Sequence, residues 1–249
     1  MRFGFGSKYR RWFLLILLGL AAQAGVPTQG EAFQAGDSAA QSSANHQNLQ
    51  SILEGMDQAA AQFKSVAGNL EYSKVTVIVN DTSTETGKIY FEKAKGKPRV
   101  MLAFTNPAEK YVLLADGKVS IYRPKIAEVE EFSLAKRQDL VEQFLLLGFG
   151  TAGEELQKAY EVVFHGEEKL DGQLAFHLEL TAKSPKVAAQ LKRIELWLSP
   201  ETWQPLQQKF LEPSGDYLIA RYRGLQQNVK IPAKNLRLPI KGNVHTVQH

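Results

Sequence analysis

The sequence contains no cysteine. Disulfides, thiol nucleophiles and thiolate metal sites are thereby excluded, and so is lipidation of a cysteine behind a cleaved leader. Long apolar runs are almost as scarce. One, Trp12 to Leu20, lies behind Arg2, Lys8, Arg10 and Arg11 and ahead of Ala22-Gln23-Ala24. It is roughly half the ~18 residues a membrane span needs. Its order of basic, apolar and small residues is that of a secretory signal peptide covering residues 1–24. Arg10-Arg11 faintly resembles a twin-arginine signal, but so apolar a run favours the general secretory route. No second run follows, so no stable membrane insertion is expected.

Excess charge is also missing. The 30 Lys and Arg fall to 26 once the four in the leader are removed, equal to the 26 Asp and Glu. The basic balance belongs to the export signal, and nucleic-acid binding, which needs a clustered basic face, is not expected. No nucleophile elbow, phosphate loop or His-Glu-x-x-His motif occurs, so no enzyme is expected. The five histidines, His46, His165, His177, His245 and His249, are scattered. With Asp171-Gly172 as a two-residue turn, His165 faces Leu178 and His177 looks the other way; a register one step different aligns the two histidines. Two ligands rarely make a site, so neither a metal nor a cofactor is expected. The acidic groups Glu128, Glu130, Glu131 and Glu167, Glu168 read as solvated strand edges.

What is present is mostly strand pattern. Residues 25–47 are rich in Ala, Gln, Ser and Gly and read as a flexible leader. Leu49, Ile52, Leu53, Met56, Ala60 and Phe63 then form one stripe at helical spacing, predicting an amphipathic helix over about 47–64 that covers a core. Strands are predicted near 69–80, 87–95, 99–105, 110–115, 118–123 and 127–132, with Asp81 to Gly87 as a polar loop. After a greasy helix at 137–147 and a short one at 152–158, strands resume near 159–165, 173–181, 192–199, 205–212 and 217–224. Ser184 to Leu191 reads as a short helical link, and the tail beyond Val229, carrying Pro232 and Pro239, has room for one more edge strand. No helix between early strands is long enough for a parallel crossover, so the sheet is an antiparallel meander.

The stretch Lys97 to Pro124 organises this pattern. Val100, Leu102 and Phe104 alternate with Arg99, Met101 and Ala103; even the second face is partly apolar, so both faces want cover. Asp116-Gly117 supplies the positive φ angles of a two-residue type I′ hairpin. One-sided apolar ladders recur at Leu174, Phe176, Leu178, Leu180 and at Ile194, Leu196, Leu198. The expected fold is mainly β within the α+β class: a strongly curved antiparallel sheet of about eleven strands, an unclosed half-barrel whose concave apolar face is covered by helices. Residues 48–249 form its single domain, and a sheet so wide leaves an apolar trough.

Leu113 to Lys118 followed by Ile121-Tyr122-Arg123-Pro124 resembles the Asp-Gly-Lys hairpin of the periplasmic outer-membrane lipoprotein carrier family (LolA-like). Leu145 to Gly150, Trp197 to Pro205 and Ser214-Gly215-Asp216-Tyr217 resemble further segments of a subfamily, and the ordered set spans most of 48–240. The resemblance implies a periplasmic, monomeric carrier, chaperone-like in protein transport. Its cargo would be an acylated lipoprotein or lipid, loaded by an inner-membrane ABC transporter and passed to an outer-membrane acceptor. Cavity-lining candidates are Val100, Leu102, Phe104, Leu114, Ile121, Leu178, Leu196 and Trp197, with Phe144, Leu145 and Leu146 in the lid. Such carriers place an arginine before the proline that opens the third strand, as a latch for the lid. Here that position is Lys97, with Arg99 two residues on, and Lys offers a point charge in place of a planar fork. A lipid-sensing regulator of the same fold and a solid-cored structural protein are the alternatives; a sensor would usually carry an extra partner-binding domain.

Overall fold

The computed structural model describes residues 38–94, 97–134 and 147–249, and their side chains except those of 38–47, 94 and 97. The expected signal peptide, the first part of the expected flexible leader and the lid candidates Phe144, Leu145 and Leu146 lie outside the described residues. Helix α1 runs Ser38–Gln62, starting earlier than expected; Ser38 to His46 carries three alanines and neither proline nor glycine, so no breaker stops the helix there.

Twelve strands follow: β1 Ser65–Thr76, β2 Asp81–Ala94, β3 Lys97–Asn106, β4 Lys110–Ala115, β5 Lys118–Arg123, β6 Glu128–Ser133, β7 Tyr160–Leu170, β8 Gln173–Ala182, β9 Arg193–Leu198, β10 Pro205–Leu211, β11 Tyr217–Gln227 and β12 His245–Gln248. Short helices α2, Gly153–Ala159, and α3, Pro185–Ala188, interrupt them. All strands form one sheet in the order β12-β6-β5-β4-β3-β2-β1-β11-β10-β9-β8-β7. It is an unclosed curved sheet with helices on one face. β12 is the extra edge strand expected of the tail, but it pairs parallel to β6, which a chain returning from the far side of the sheet permits.

Local chemistry explains the turns. Asp116 and Gly117 have φ of 51° and 72°, and Asp171 and Gly172 of 50° and 83°; both hairpins are the two-residue turns that Asp-Gly predicts. The first hairpin differs from expectation. Asp81 to Gly87 is the opening of β2, not a loop, and the chain turns at Val77–Val79 with Asn80 in the left-handed region at φ 49°. Asparagine tolerates that conformation. The strand is polar because this part of the ladder is exposed, and its rungs are polar pairs such as Ser73 with Thr84, whose hydroxyls lie 2.9 Å apart.

Two apolar clusters cover the inner face. One joins β1 to β6, with Phe63, Leu134 and Phe149 lying over it. The other joins β7 to β11 beneath Ile52, Leu53 and Met56 of α1. A third, smaller cluster lies on the outer face, where Ile231 and Leu236 of the tail pack on Met101. Met101 is 2% exposed, so the second apolar face of β3 receives its cover from the C-terminal tail.

Close backbone approach seats α1. A Cβ on Gly55 would lie 2.3 Å from the Trp203 ring, and one on Gly153 would lie 2.4 Å from the Leu53 carbonyl oxygen. In a free helix Gly55→Ala gains about 1 kcal/mol from propensity, whereas forcing a methyl into the indole costs about 1–3 kcal/mol. Because Trp203 is itself wedged against Phe176, with ring centroids 5.8 Å apart, the clash dominates. Urea unfolding is expected to show Gly55→Ala destabilised; a stabilised variant would mean that α1 does not rest on Trp203.

Candidate lipid-binding face

Strand register decides which candidates meet. Val100 pairs with Leu114, Leu102 with Val112, and Val112 with Ile121, so the alternation of β3 continues across β4 and β5 on the inner face. Leu178 pairs with Leu196. Phe104, Leu178 and Leu196 are 0% exposed, and Val100, Leu102, Leu114 and Ile121 at most 6%. The two inner clusters meet at Tyr72, which packs against both. These seven candidates therefore share one apolar surface, closed off from solvent beneath its cover.

Trp197 does not share it. It pairs with His177, and its ring stacks on the imidazole at 4.4 Å between centroids and 10° between planes. Its indole N–H donates to Glu168. Trp197 lies on the outer face because alternation turns it away from Leu196 and Leu198, which face inward; β9 is buried on both sides. Arg99 also faces outward, with Nη2 3.7 Å from Asp116 Oδ2. The backbone of Lys97 pairs with Ala94; its side chain lies outside the described residues.

The sequence reading missed a charged rim along one end of the inner face. Phe104 pairs with Lys110, whose ammonium sits 4.5 Å from the Phe104 ring centroid and forms an ion pair with Glu85. Burial holds the Lys110 pKa below the usual lysine range, outweighing the opposing pull of Glu85. Next along the rim, Arg123 reaches Glu128 at 3.3 Å and Glu130 at 3.2 Å. Glu130 is 2% exposed, so it is a buried partner of Arg123 and not a solvated edge. The available signal was an arginine just before a hairpin turn with glutamates just after it.

A buried polar relay ties the cover to the sheet. The Tyr222 hydroxyl donates to Gln208 Oε1 at 2.7 Å, and the Gln208 amide donates to the Leu147 carbonyl. Burial pushes the Tyr222 and Tyr72 hydroxyls well above the ordinary tyrosine range, so both stay protonated. Beyond Leu147, the Phe149 ring meets Tyr222 edge-on at 4.9 Å. A Cβ on Gly150 would lie 2.3 Å from Phe63. The Leu147-Gly148-Phe149-Gly150 segment is thus pinned between sheet and helix.

On the outer face β7 carries a bulge: Phe164 pairs with Leu178 and Gly166 with His177. The extra residue, His165, turns toward His177, with ring centroids 5.1 Å apart. The structure adopts the shifted register that aligns the two histidines. Glu168, Glu179, Glu195, Arg193 and Lys209 surround them. Among the described residues no group of three or more side chains is arranged to hold a metal.

Two measurements follow from this geometry. Gln208→Leu strands the Tyr222 hydroxyl and the Leu147 carbonyl, at about 1–3 kcal/mol for each buried group; denaturant unfolding is expected to show a loss of that order, and an unchanged midpoint would break the relay. Burial lowers the His177 pKa, with Glu168 opposing and His165 assisting. The unfolded chain then binds the proton more readily, so this contribution is complete above the unfolded value of about 6.5 and is lost as pH falls below it. Melting temperature should fall between pH 7.5 and 5.5, and the fall should shrink in His177→Phe, which keeps the stack; an equal fall in both proteins contradicts this assignment.

No protein-family model matches the chain, and comparison with curated proteins gives no match. Similar solved structures exist. MucB is 19% identical, with a TM-score of 0.52, over 80% of this chain and 66% of its own. An uncharacterized conserved protein from Thermus thermophilus is 12% identical, with a TM-score of 0.51, over 81% of this chain and 99% of its own. The complex structure of Pseudomonas aeruginosa MucA/MucB is 21% identical, with a TM-score of 0.48, over 80% and 64%. This chain spans just under two thirds of the length of MucB. At such identities the likeness speaks for the fold alone, an unclosed, strongly curved sheet with helices on one face.

Proposed function

We propose that the chain is an exported periplasmic lipid-binding protein that shields acyl chains of lipoproteins, or of another lipid, on its inner face and carries them between the inner and outer membranes. It acts by binding and not by catalysis. The observation that carries this reading is the unbroken apolar inner face, from Phe132 on β6 to Phe164 on β7. Each methylene removed from water is worth roughly 0.8 kcal/mol, so a bare 16-carbon chain would cost on the order of 12 kcal/mol to cross water. A carrier offsets that cost by lending its own apolar face. Because the face is covered, the ligand enters by replacing the cover, and loading by an inner-membrane ABC transporter with delivery to an outer-membrane acceptor fits a protein that needs help to open.

A second reading, regulation through a protein partner, is favoured by MucB, whose structure is known in complex with MucA. Native mass spectrometry of the protein purified from its own periplasm separates the two. The carrier reading expects a co-purifying acylated species that dissociates on activation. A clean apoprotein mass, with no uptake of a fluorescent fatty acid, overturns it.

A further inference from the structure

The outer face holds a groove that the carrier reading does not use. It encloses about 690 Å³ between the strands β11, β1, β2, β3 and β4 and the tail residues Lys234, Asn235, Arg237 and Pro239. The roof is fixed in place, since Ile231 and Leu236 on either side of Lys234 are packed against Met101. Five cations line the groove, Lys88, Arg221, Arg223, Lys234 and Arg237, against one carboxylate, Glu71. That is a concentrated positive site on a chain whose charges beyond residue 24 sum to zero.

Glu71 is spent on two of these cations, at 3.1 Å from Arg221 and 3.7 Å from Arg223. Arg223 also reaches Asp171 at 2.9 Å. Among the described residues, Lys88, Lys234 and Arg237 have no carboxylate within ion-pair distance. Arg221 and Arg223 stand at the β11 end of the groove, Lys88 stands on β2 opposite Ala103 of β3, and Ala103 in turn pairs with Tyr111 of β4. Two strand spacings separate Lys88 from Tyr111, about 10 Å at ~4.8 Å each.

We propose that this groove binds an anionic amphiphile, with a phosphate, sulfate or carboxylate head held by Lys88, Lys234 and Arg237 and its hydrocarbon body laid over Ala103 and Tyr111. The volume is that of a small-molecule site, and the lining sets charged side chains beside an apolar floor. Paired cations recognise such a head by charge-assisted hydrogen bonds. An acidic peptide fits less well: the floor strands are all paired on both sides, so no free edge offers main-chain hydrogen bonds.

Isothermal titration of the full chain with decyl phosphate below its micelle concentration tests this. One equivalent is expected to bind, with decanol and inorganic phosphate each about tenfold weaker or worse. Lys234→Ala/Arg237→Ala, at exposed positions that leave the core untouched, should weaken binding about tenfold or more; Lys88→Glu should do the same. Tyr111→Ser should weaken decyl phosphate and leave inorganic phosphate unchanged. Binding that is unaltered in the charge variants places the ligand elsewhere, including the inner face, and overturns the proposal without touching the carrier reading. Absence of binding, or tighter binding of a decaglutamate peptide, overturns it as well.

Discussion

Burial of both faces of β3 is the constraint on which this structure depends. Val100, Leu102 and Phe104 point one way and Met101 the other, and all four are at most 6% exposed. A pleated strand cannot send its alternate side chains to one side, so the chain must supply cover twice. The inner side receives Phe63, Leu134 and Phe149, while the outer side receives the tail through Ile231 and Leu236. The two covers differ in kind. The inner one belongs to a helix and a pinned loop, the outer one to an irregular segment that leaves a groove beside it.

The inner cover sets the energetic problem for any ligand. Each fully buried large apolar side chain contributes about 1.5–3 kcal/mol, so exposing even the β3 ladder alone would cost several kcal/mol. Under the proposed carrier function, an acyl chain that takes the place of the cover would return a similar amount, which would make exchange nearly balanced and allow transfer in either direction. The contacts fastening the cover are local: Gly55 on Trp203, Gly153 on Leu53, Gly150 on Phe63 and the Gln208 relay to Leu147.

Much of this was legible in the sequence because it rests on local chemistry. Asp116-Gly117 and Asp171-Gly172 fixed their hairpins through the φ angles that Asp and Gly accept, and the alternation on β3 announced two-sided burial before any cover was known. What was hidden depended on register. A bulge at His165-Gly166 realigned two histidines. The direction of Trp197 was legible after all, since the ladder Ile194, Leu196, Leu198 turns it to the opposite face. Glu130 read as a surface carboxylate because its partner Arg123 lies across a turn whose pairing the sequence does not spell out. Polar Asp81 to Gly87 read as a loop because an exposed strand and a loop share a composition.

The central claim is that acyl chains occupy the inner face. Photo-crosslinking with a triacylated lipopeptide carrying a diazirine in one acyl chain, with adducts located residue by residue, tests it most directly. The account predicts adducts on Leu102, Phe104 and Leu178. Adducts confined to Met101, Tyr111 or other outer-face residues, or none at all, would contradict it.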